Sequence, residues 1–290
     1  MGRMTTVLRK VAIGSAIAIG SISSAHAGLT NDVPSCYAAN KVTAPQAQYD
    51  HLIYVLIDQT VLLDPVLQKS VLDNILPMLQ PGTKFVVAEF SAFSQGHYLN
   101  VMRSGVIERP LTAAEEGDVP MSRVRDLHNC LQQQSIYAQR LALATTEQVL
   151  KSGTSSLDQS DILMALKTVS DAVAQDKAQH RVVFVVTDGL ENSSVTSFYA
   201  HNTVRHINPV VELKKATDGN LFGDFGGARV FVLGAAVMPP PEAGTAAQRN
   251  GYRDPGTLMD LERFWTAYFE HSNSKLVQFG KPALLEPVSW

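Results

Sequence analysis

The stretch that most constrains the fold of this chain is residues 51–64, which read HLIYVLIDQTVLLD. Its first part, residues 52–57, is apolar without interruption and ends at Asp58. A short run of this kind is typical of a strand buried on both faces, as the strands of parallel sheets are. Asp58 then stands at the carboxyl end of the strand, where ligands bind in open α/β sheets. The sequence therefore predicts a parallel sheet with a candidate site at Asp58.

The rest of the chain alternates helix and strand patterns. Asp64-Pro65 has the residues of a helix start, an N-cap followed by proline, and an apolar strand pattern follows at 84–90. This order is the strand–helix–strand unit of a parallel sheet. Later patterns predict an edge strand within 97–107, a loop over 108–121, one or two helices over 122–150, helices over 161–175 and from Asn208 and Thr257, and strands at 181–186, 229–235 and 275–279. We expect a doubly wound α/β fold over residues 51–281, with a mostly parallel sheet, helices on both faces and one antiparallel edge strand.

The N-terminus has the pattern of a secretory signal peptide over residues 1–27. Three basic residues precede an apolar stretch at 11–22, and Ala25-His26-Ala27 forms an A-x-A-like cleavage site. The apolar stretch is shorter than an ordinary transmembrane helix, so the alternative is an uncleaved anchor. We expect export to the periplasm or the extracellular space and no integral membrane segment in the mature chain. Residues 28–50 are then a leader and residues 282–290 a C-terminal tail.

The net charge of the chain limits the class of partner that it is expected to bind. The formal net charge is −3, and removal of the basic N-terminal segment would leave the chain more acidic. Nucleic-acid binding needs a basic face, so we expect no nucleic-acid partner.

The two cysteines, Cys36 and Cys130, both lie in the expected mature chain. An oxidising compartment favours a disulfide between them, which would fasten the leader to the helical region at 122–150. The alternative is a pair of free, buried thiols.

A second strand pattern also ends at an aspartate, because residues 181–186 are followed by Thr187-Asp188-Gly189. Two strands tipped by aspartate, with hydroxyl residues nearby, resemble the von Willebrand factor A-type (VWA) family and its metal-ion-dependent adhesion site. That family has D-x-S-x-S after the first strand, Thr or Ser before a central helix, and Asp after the fourth strand, often within T-D-G.

The resemblance implies a divalent-cation site, with magnesium as the cofactor, built from four residues of this chain. They are Asp58 and Thr60 in DQTVL, Ser160 in QSDILMAL, and Asp188 in VVTDGLEN. Carboxylate and hydroxyl oxygens with waters suit a hard cation of this kind. Leu62 stands where the family has its second serine, so the site is degenerate and one ligand oxygen is missing.

Each of these residues also has a structural alternative. Asp58 and Asp188 could accept backbone N–H groups at helix starts, and Ser160 is placed to cap the helix over 161–175. Thr60 could cap its own turn. We assign Asp64 to helix capping alone.

The resemblance implies binding of a protein partner at the carboxyl-end face of the sheet, where a partner carboxylate completes the metal shell. The alternative is a metal-free structural subunit of an envelope-associated complex. A hydrolase is a third possibility, but the phosphatase pattern D-x-D-x-T has its second carboxylate replaced by Thr60, and G-x-S-x-G, H-E-x-x-H and G-x-x-x-x-G-K-[ST] are absent. We therefore expect no enzymatic activity. The loop over 238–256 is the expected contact element, and the aromatic helix over 258–269 is expected to cover the sheet rather than to bind a partner.

Overall fold

Helices connect the parallel strands of the sheet along the chain. The computed structural model describes residues 30–91, 99–154, 160–200, 203–237 and 254–290. The expected signal peptide and nearly all of the loop over 238–256 therefore lie outside the described residues. The strands are β1 (His51–Asp58), β2 (Thr83–Phe90), β3 (Asn100–Ile107), β4 (His180–Val186), β5 (Tyr199–Ala200), β6 (Thr203–Val204), β7 (Ala228–Leu233) and β8 (Ser274–Phe279). The helices are α1 (Cys36–Asn40), α2 (Pro65–Ile75), α3 (Ala113–Glu116), α4 (Met121–Ser152), α5 (Ile162–Ala174), α6 (Pro209–Asp218) and α7 (Pro255–His271), with a 3₁₀ turn at Leu76–Met78.

Six of the strands form one sheet in the order β3-β2-β1-β4-β7-β8. Strand β3 is antiparallel to β2, and the other neighbours in the sheet run parallel. The expected α/β class, with a mostly parallel sheet and one antiparallel edge strand, is confirmed. Strand β1 lies inside the sheet between β2 and β4, and the strand order reverses direction there. In open α/β sheets such a reversal opens a crevice at the carboxyl ends of the two strands.

Side chains of β1 alternate between two hydrophobic cores, one on each face of the sheet. Leu52, Tyr54 and Leu56 pack with residues of α5 and α7, whereas Ile53, Val55 and Ile57 pack with residues of α2 and α4. Burial on both faces explains why the run is apolar throughout rather than alternating. The aromatic helix α7 covers the sheet as expected, with its large side chains buried: Phe264, Trp265, Tyr268 and Phe269.

The structure differs from the expectation in one loop and decides between the alternatives for one helical region. The segment expected as a loop over 108–121 contains α3, which a capping box between Thr112 and Glu115 stabilises. The region over 122–150, expected to form one or two helices, lies in the single 32-residue helix α4. Its buried residues, from Val124 to Leu150, keep helical spacing, so one continuous face packs against the domain.

The leader is fastened to the domain through α1. Cys36 forms a disulfide with Cys130 of α4, as expected. Glu108, which is buried, accepts hydrogen bonds from the Ser35 hydroxyl at 2.5 Å and the Cys36 backbone N–H at 2.8 Å. The Gln134 side chain also donates to Glu108, at 2.9 Å. A covalent bond and a buried polar cluster therefore hold the same short helix.

Candidate functional site

Asp58 lies at the carboxyl end of β1 and is 2% exposed. Its Oδ1 accepts hydrogen bonds from the Thr60 backbone N–H at 2.9 Å and the Thr60 hydroxyl at 2.6 Å. Its Oδ2 accepts from the Ser160 hydroxyl at 3.0 Å and the Thr187 hydroxyl at 2.8 Å. The structure thus brings Thr60 and Ser160 onto Asp58. Each hydroxyl gives its hydrogen to the carboxylate, and the Thr187 hydroxyl oxygen also accepts from the Gly189 backbone N–H at 3.1 Å. The lone pairs of the Thr60 and Ser160 oxygens and one lone pair of the Thr187 oxygen remain for another ligand.

Thr187 also belongs to this cluster, although it is not among the site residues expected from the sequence. Strand β1 pairs with β4 so that Ile57 lies opposite Val186, which places Thr187 beside Asp58. Its position, directly before Asp188 at the tip of a neighbouring parallel strand, was the signal that could have identified it.

Of the two roles open to Ser160, the structure excludes capping of the following helix. Helix α5 begins at Ile162, and its N-cap is Asp161. The Asp161 side chain makes no capping hydrogen bond to the helix. The buried carboxylate of Glu191 accepts instead from the Leu163 backbone N–H, at 3.0 Å. Because Glu191 takes the capping role, the Ser160 hydroxyl is free to donate to Asp58.

Asp188 lies at the tip of β4 and is 4% exposed. Its Oδ1 accepts from the Leu190 backbone N–H at 2.8 Å, and its Oδ2 accepts from the Tyr199 hydroxyl at 2.6 Å. Gly189, between Asp188 and Leu190 in the turn, has φ of +69°, a conformation that favours glycine. Its carbonyl accepts from the Trp265 indole N–H at 2.9 Å. Each aspartate accepts a backbone N–H from the residue two positions on, in the turn after its strand and not at a helix start as the structural alternative expected, and side-chain hydroxyls bind the other oxygens.

Tyr199 is the second residue that the sequence reasoning did not include. It belongs to the two-residue strand β5, and no sequence pattern relates it to Asp188.

The two aspartates have raised pKa values and no basic partner among the described residues. Burial, together with the negative charge of Asp58, raises the pKa of Asp188 to about 8. Burial also raises the pKa of Asp58, against the hydrogen bonds from Thr60, Thr187 and Ser160 that lower it. In the part of the chain that the structure describes, neither carboxylate forms an ion pair with a Lys, Arg or His side chain. Two buried acids without a basic partner are typical of a functional site.

The donor set fits a hard divalent cation. Two carboxylates and three hydroxyls supply oxygen ligands only, which magnesium prefers, and a bound cation would offset the buried negative charge. Leu62 is 49% exposed and offers no oxygen, so the family's second serine has no counterpart here. Among the described residues, no group of three or more His, Cys, Asp or Glu side chains is placed to hold a metal ion. A cation at this site would therefore depend on the hydroxyl oxygens.

Without a cation, we expect the stability of the protein to fall as the pH rises from about 4 to about 8. The pKa of Asp188 is about 8 in the folded chain and about 4 in an unfolded one, so the folded state binds that proton more tightly. The stabilisation is complete below the unfolded-state pKa and is lost as the pH passes through the folded-state pKa. Burial raises the pKa of Glu191 to about 8 as well, which acts in the same direction. Melting temperatures in chelator between pH 5 and pH 8.5 measure the effect.

The matched variant for this prediction is Asp188→Asn, which cannot titrate and should give a flatter profile of melting temperature against pH. A wild-type melting temperature that stays constant or rises over the same range would contradict the prediction.

Every helix in the described ranges is too short or too polar to cross a membrane.

Comparison with known proteins gives matches among solved structures only, because no protein-family model and no curated protein matches the chain. One similar structure is an aerotolerance-related membrane protein from Bacteroides fragilis NCTC 9343, at 14% identity and a TM-score of 0.33, covering 78% of this chain and 90% of that one. Another is the PilB minor pilin from Streptococcus sanguinis, at 13% identity and a TM-score of 0.41, covering 81% of this chain and 58% of that one. A third is the conserved hypothetical protein BatB from Bacteroides thetaiotaomicron, at 15% identity and a TM-score of 0.33, covering 79% of this chain and 89% of that one. Similarities this low assign neither a family nor a function.

Proposed function

We propose that this chain is an exported protein-binding domain that uses the carboxyl-end face of its sheet and a divalent cation, magnesium, held there. The observation that carries the proposal is the pair of buried carboxylates, Asp58 and Asp188, with no ion-pair partner among the described residues and with hydroxyl oxygens around Asp58. This cluster lies where the strand order reverses, which is the expected ligand position in an open α/β sheet. The resemblance of its residues to the VWA metal site supports the choice of cation and of a protein ligand.

The residues that would hold the cation are Asp58, Thr60, Ser160, Thr187 and Asp188. A bound magnesium ion would supply a positive centre that attracts an acidic group of a partner protein. The hydroxyls of Thr60, Ser160 and Thr187 are already oriented by their bonds to Asp58, so little reordering is needed to present their lone pairs. With Leu62 in place of a ligand residue, we expect a water molecule to take the position that the family's second serine fills.

We propose that the site binds and does not catalyse. In the described chain, no histidine or cysteine is hydrogen-bonded to the two aspartates or to the three hydroxyl residues. The hydroxyls therefore lack a histidine base, and the Asp58 carboxylate accepts from all three of them and is not paired with a single nucleophile.

One observation favours the second candidate function, a metal-free structural subunit of an envelope-associated complex. All four oxygens of Asp58 and Asp188 accept hydrogen bonds from the chain itself. Internal bonds of this kind allow the cluster to serve as a polar brace between β1, β4 and α5 without any ion.

Partner capture separates the two functions. The mature protein, immobilised, would be exposed to envelope extract from its native source in magnesium and in chelator, and Asp58→Asn would be compared with the wild type. We expect a protein that the wild type retains in magnesium and releases in chelator, and that Asp58→Asn fails to retain.

The matched control for capture is Asp64→Asn. Asp64 is exposed, lies six residues after Asp58 and caps α2 by accepting from the Leu67 backbone N–H at 2.9 Å. Asparagine is as good an N-cap as aspartate, so this variant should fold and bind like the wild type. A partner that both variants retain, in magnesium and in chelator alike, would favour the metal-free structural subunit.

A further inference from the structure

Tyr199 is hydrogen-bonded to Asp188 and is the more exposed of the two residues. Asp188 is almost completely buried, whereas Tyr199 is half-buried and its hydroxyl donates to Asp188 Oδ2 at 2.6 Å. The other carboxylate oxygen, Oδ1, is held inside the turn by the Leu190 backbone N–H. Oδ2 is therefore the oxygen of Asp188 whose donor is a side chain, and a side chain can rotate away where the backbone donor of Oδ1 cannot.

The backbone beside Tyr199 is firmly anchored. Phe198 is fully buried and packs edge-on against Phe264, with ring centroids 5.0 Å apart. The Phe198 backbone N–H donates to the Glu191 carbonyl at 2.7 Å, and the Arg205 backbone N–H donates to the Phe198 carbonyl at 2.7 Å. The backbone position at Tyr199 is thus fixed by Phe198. Rotation of the Tyr199 side chain, without movement of the backbone, would break its bond to Asp188.

The Tyr199 hydroxyl is a neutral donor on a buried carboxylate. A neutral donor offsets only part of the negative charge that Asp58 and Asp188 share, whereas a divalent cation offsets more of it. We infer that Tyr199 is the gate of the candidate metal site, whose hydroxyl holds Asp188 Oδ2 until a divalent cation takes its place. This inference rests on the proposed function, because it assigns a role to Tyr199 in the same site.

The variant Tyr199→Phe tests the gate. Phenylalanine keeps the ring and its packing but cannot donate, so the metal-free protein loses a hydrogen bond to a buried carboxylate while the cation-bound protein loses nothing. We expect the melting temperature in chelator to fall and the affinity for manganese or magnesium to rise about tenfold, which is the scale of one hydrogen bond to a charged group. Calorimetric titration with manganese chloride measures the affinity.

The matched control is Tyr137→Phe, the same chemical change at a side chain on α4 that is 49% exposed. It should leave both the melting temperature and the affinity unchanged.

The outcomes distinguish the gate from the proposed function. Tighter binding by Tyr199→Phe, or binding by that variant alone, supports the gate. Equal or weaker binding by Tyr199→Phe, when the wild type also binds, overturns the gate and leaves the proposed function standing. Absence of binding by both chains overturns both.

A spectroscopic measurement on the wild type does not depend on the folding of Tyr199→Phe. Loss of the bond to Asp188 should change the near-ultraviolet absorption of tyrosine when manganese is added, and Asp58→Asn should show no change. A wild type that binds manganese with an unaltered tyrosine spectrum would also overturn the gate.

Discussion

Replacing Asp58 with asparagine is expected to remove the stabilisation that saturating magnesium gives to the wild-type protein. A cation that binds only the folded chain stabilises it by about 2.7 kcal/mol at a hundred times the dissociation constant. Asparagine keeps the shape of the side chain but lacks the negative charge, and its NH₂ group cannot accept a hydrogen bond from a hydroxyl as Oδ2 now does. Urea unfolding in magnesium and in chelator gives the difference directly.

Asp64→Asn is the control here as well, because it makes the same chemical change in the same loop at a carboxylate that only caps α2. Its free energy of unfolding should rise in magnesium as much as that of the wild type. If Asp58→Asn gained the same stabilisation from magnesium, the cation would bind elsewhere and Asp58 would have no role in holding it.

Removing the disulfide between Cys36 and Cys130 is expected to lower the free energy of unfolding by roughly 2–5 kcal/mol, since the bond closes a long loop in the unfolded chain. Helix α1 has only five residues and depends on its connections to the domain. The double variant Cys36→Ser/Cys130→Ser, compared with the oxidised wild type by urea unfolding, measures the loss.

A thiol titration of the denatured, unreduced wild type is the check on this comparison. It should find no reactive thiol. Two reactive thiols, or a double variant as stable as the wild type, would contradict the prediction. The cation titration of the double variant should remain normal, because the bond lies on α1 and α4, away from the tips of β1 and β4.

The fold could largely be predicted from the sequence because its strongest signals are local. The apolar run that ends at Asp58 is typical of a strand covered on both faces, and the structure buries it between two cores. The Asp64-Pro65 start of α2 is an equally local signal. The short helix α3 was missed because four residues give too little periodicity to stand out from a loop, and its capping box alone marks it.

The site residues could be predicted from the sequence only where they directly follow the strands of the sheet. Asp58 and Asp188 follow buried strands, so topology brings them to one edge of the sheet. Tyr199 reaches the same place from a short hairpin, which depends on the packing of Phe198 rather than on any spacing in the chain. The role of Ser160 was left open because a serine before a helix satisfies two patterns at once, and only the position of the Glu191 carboxylate decides between them.

Calorimetric titration of the wild-type protein with magnesium and manganese tests whether a divalent cation binds at Asp58 and Asp188. We expect heat of binding that saturates at one cation for each chain, together with a rise in melting temperature on adding the cation. No heat and no change in melting temperature with either metal would contradict it, and the cluster around Asp58 and Asp188 would then be a hydrogen-bonded brace of the sheet.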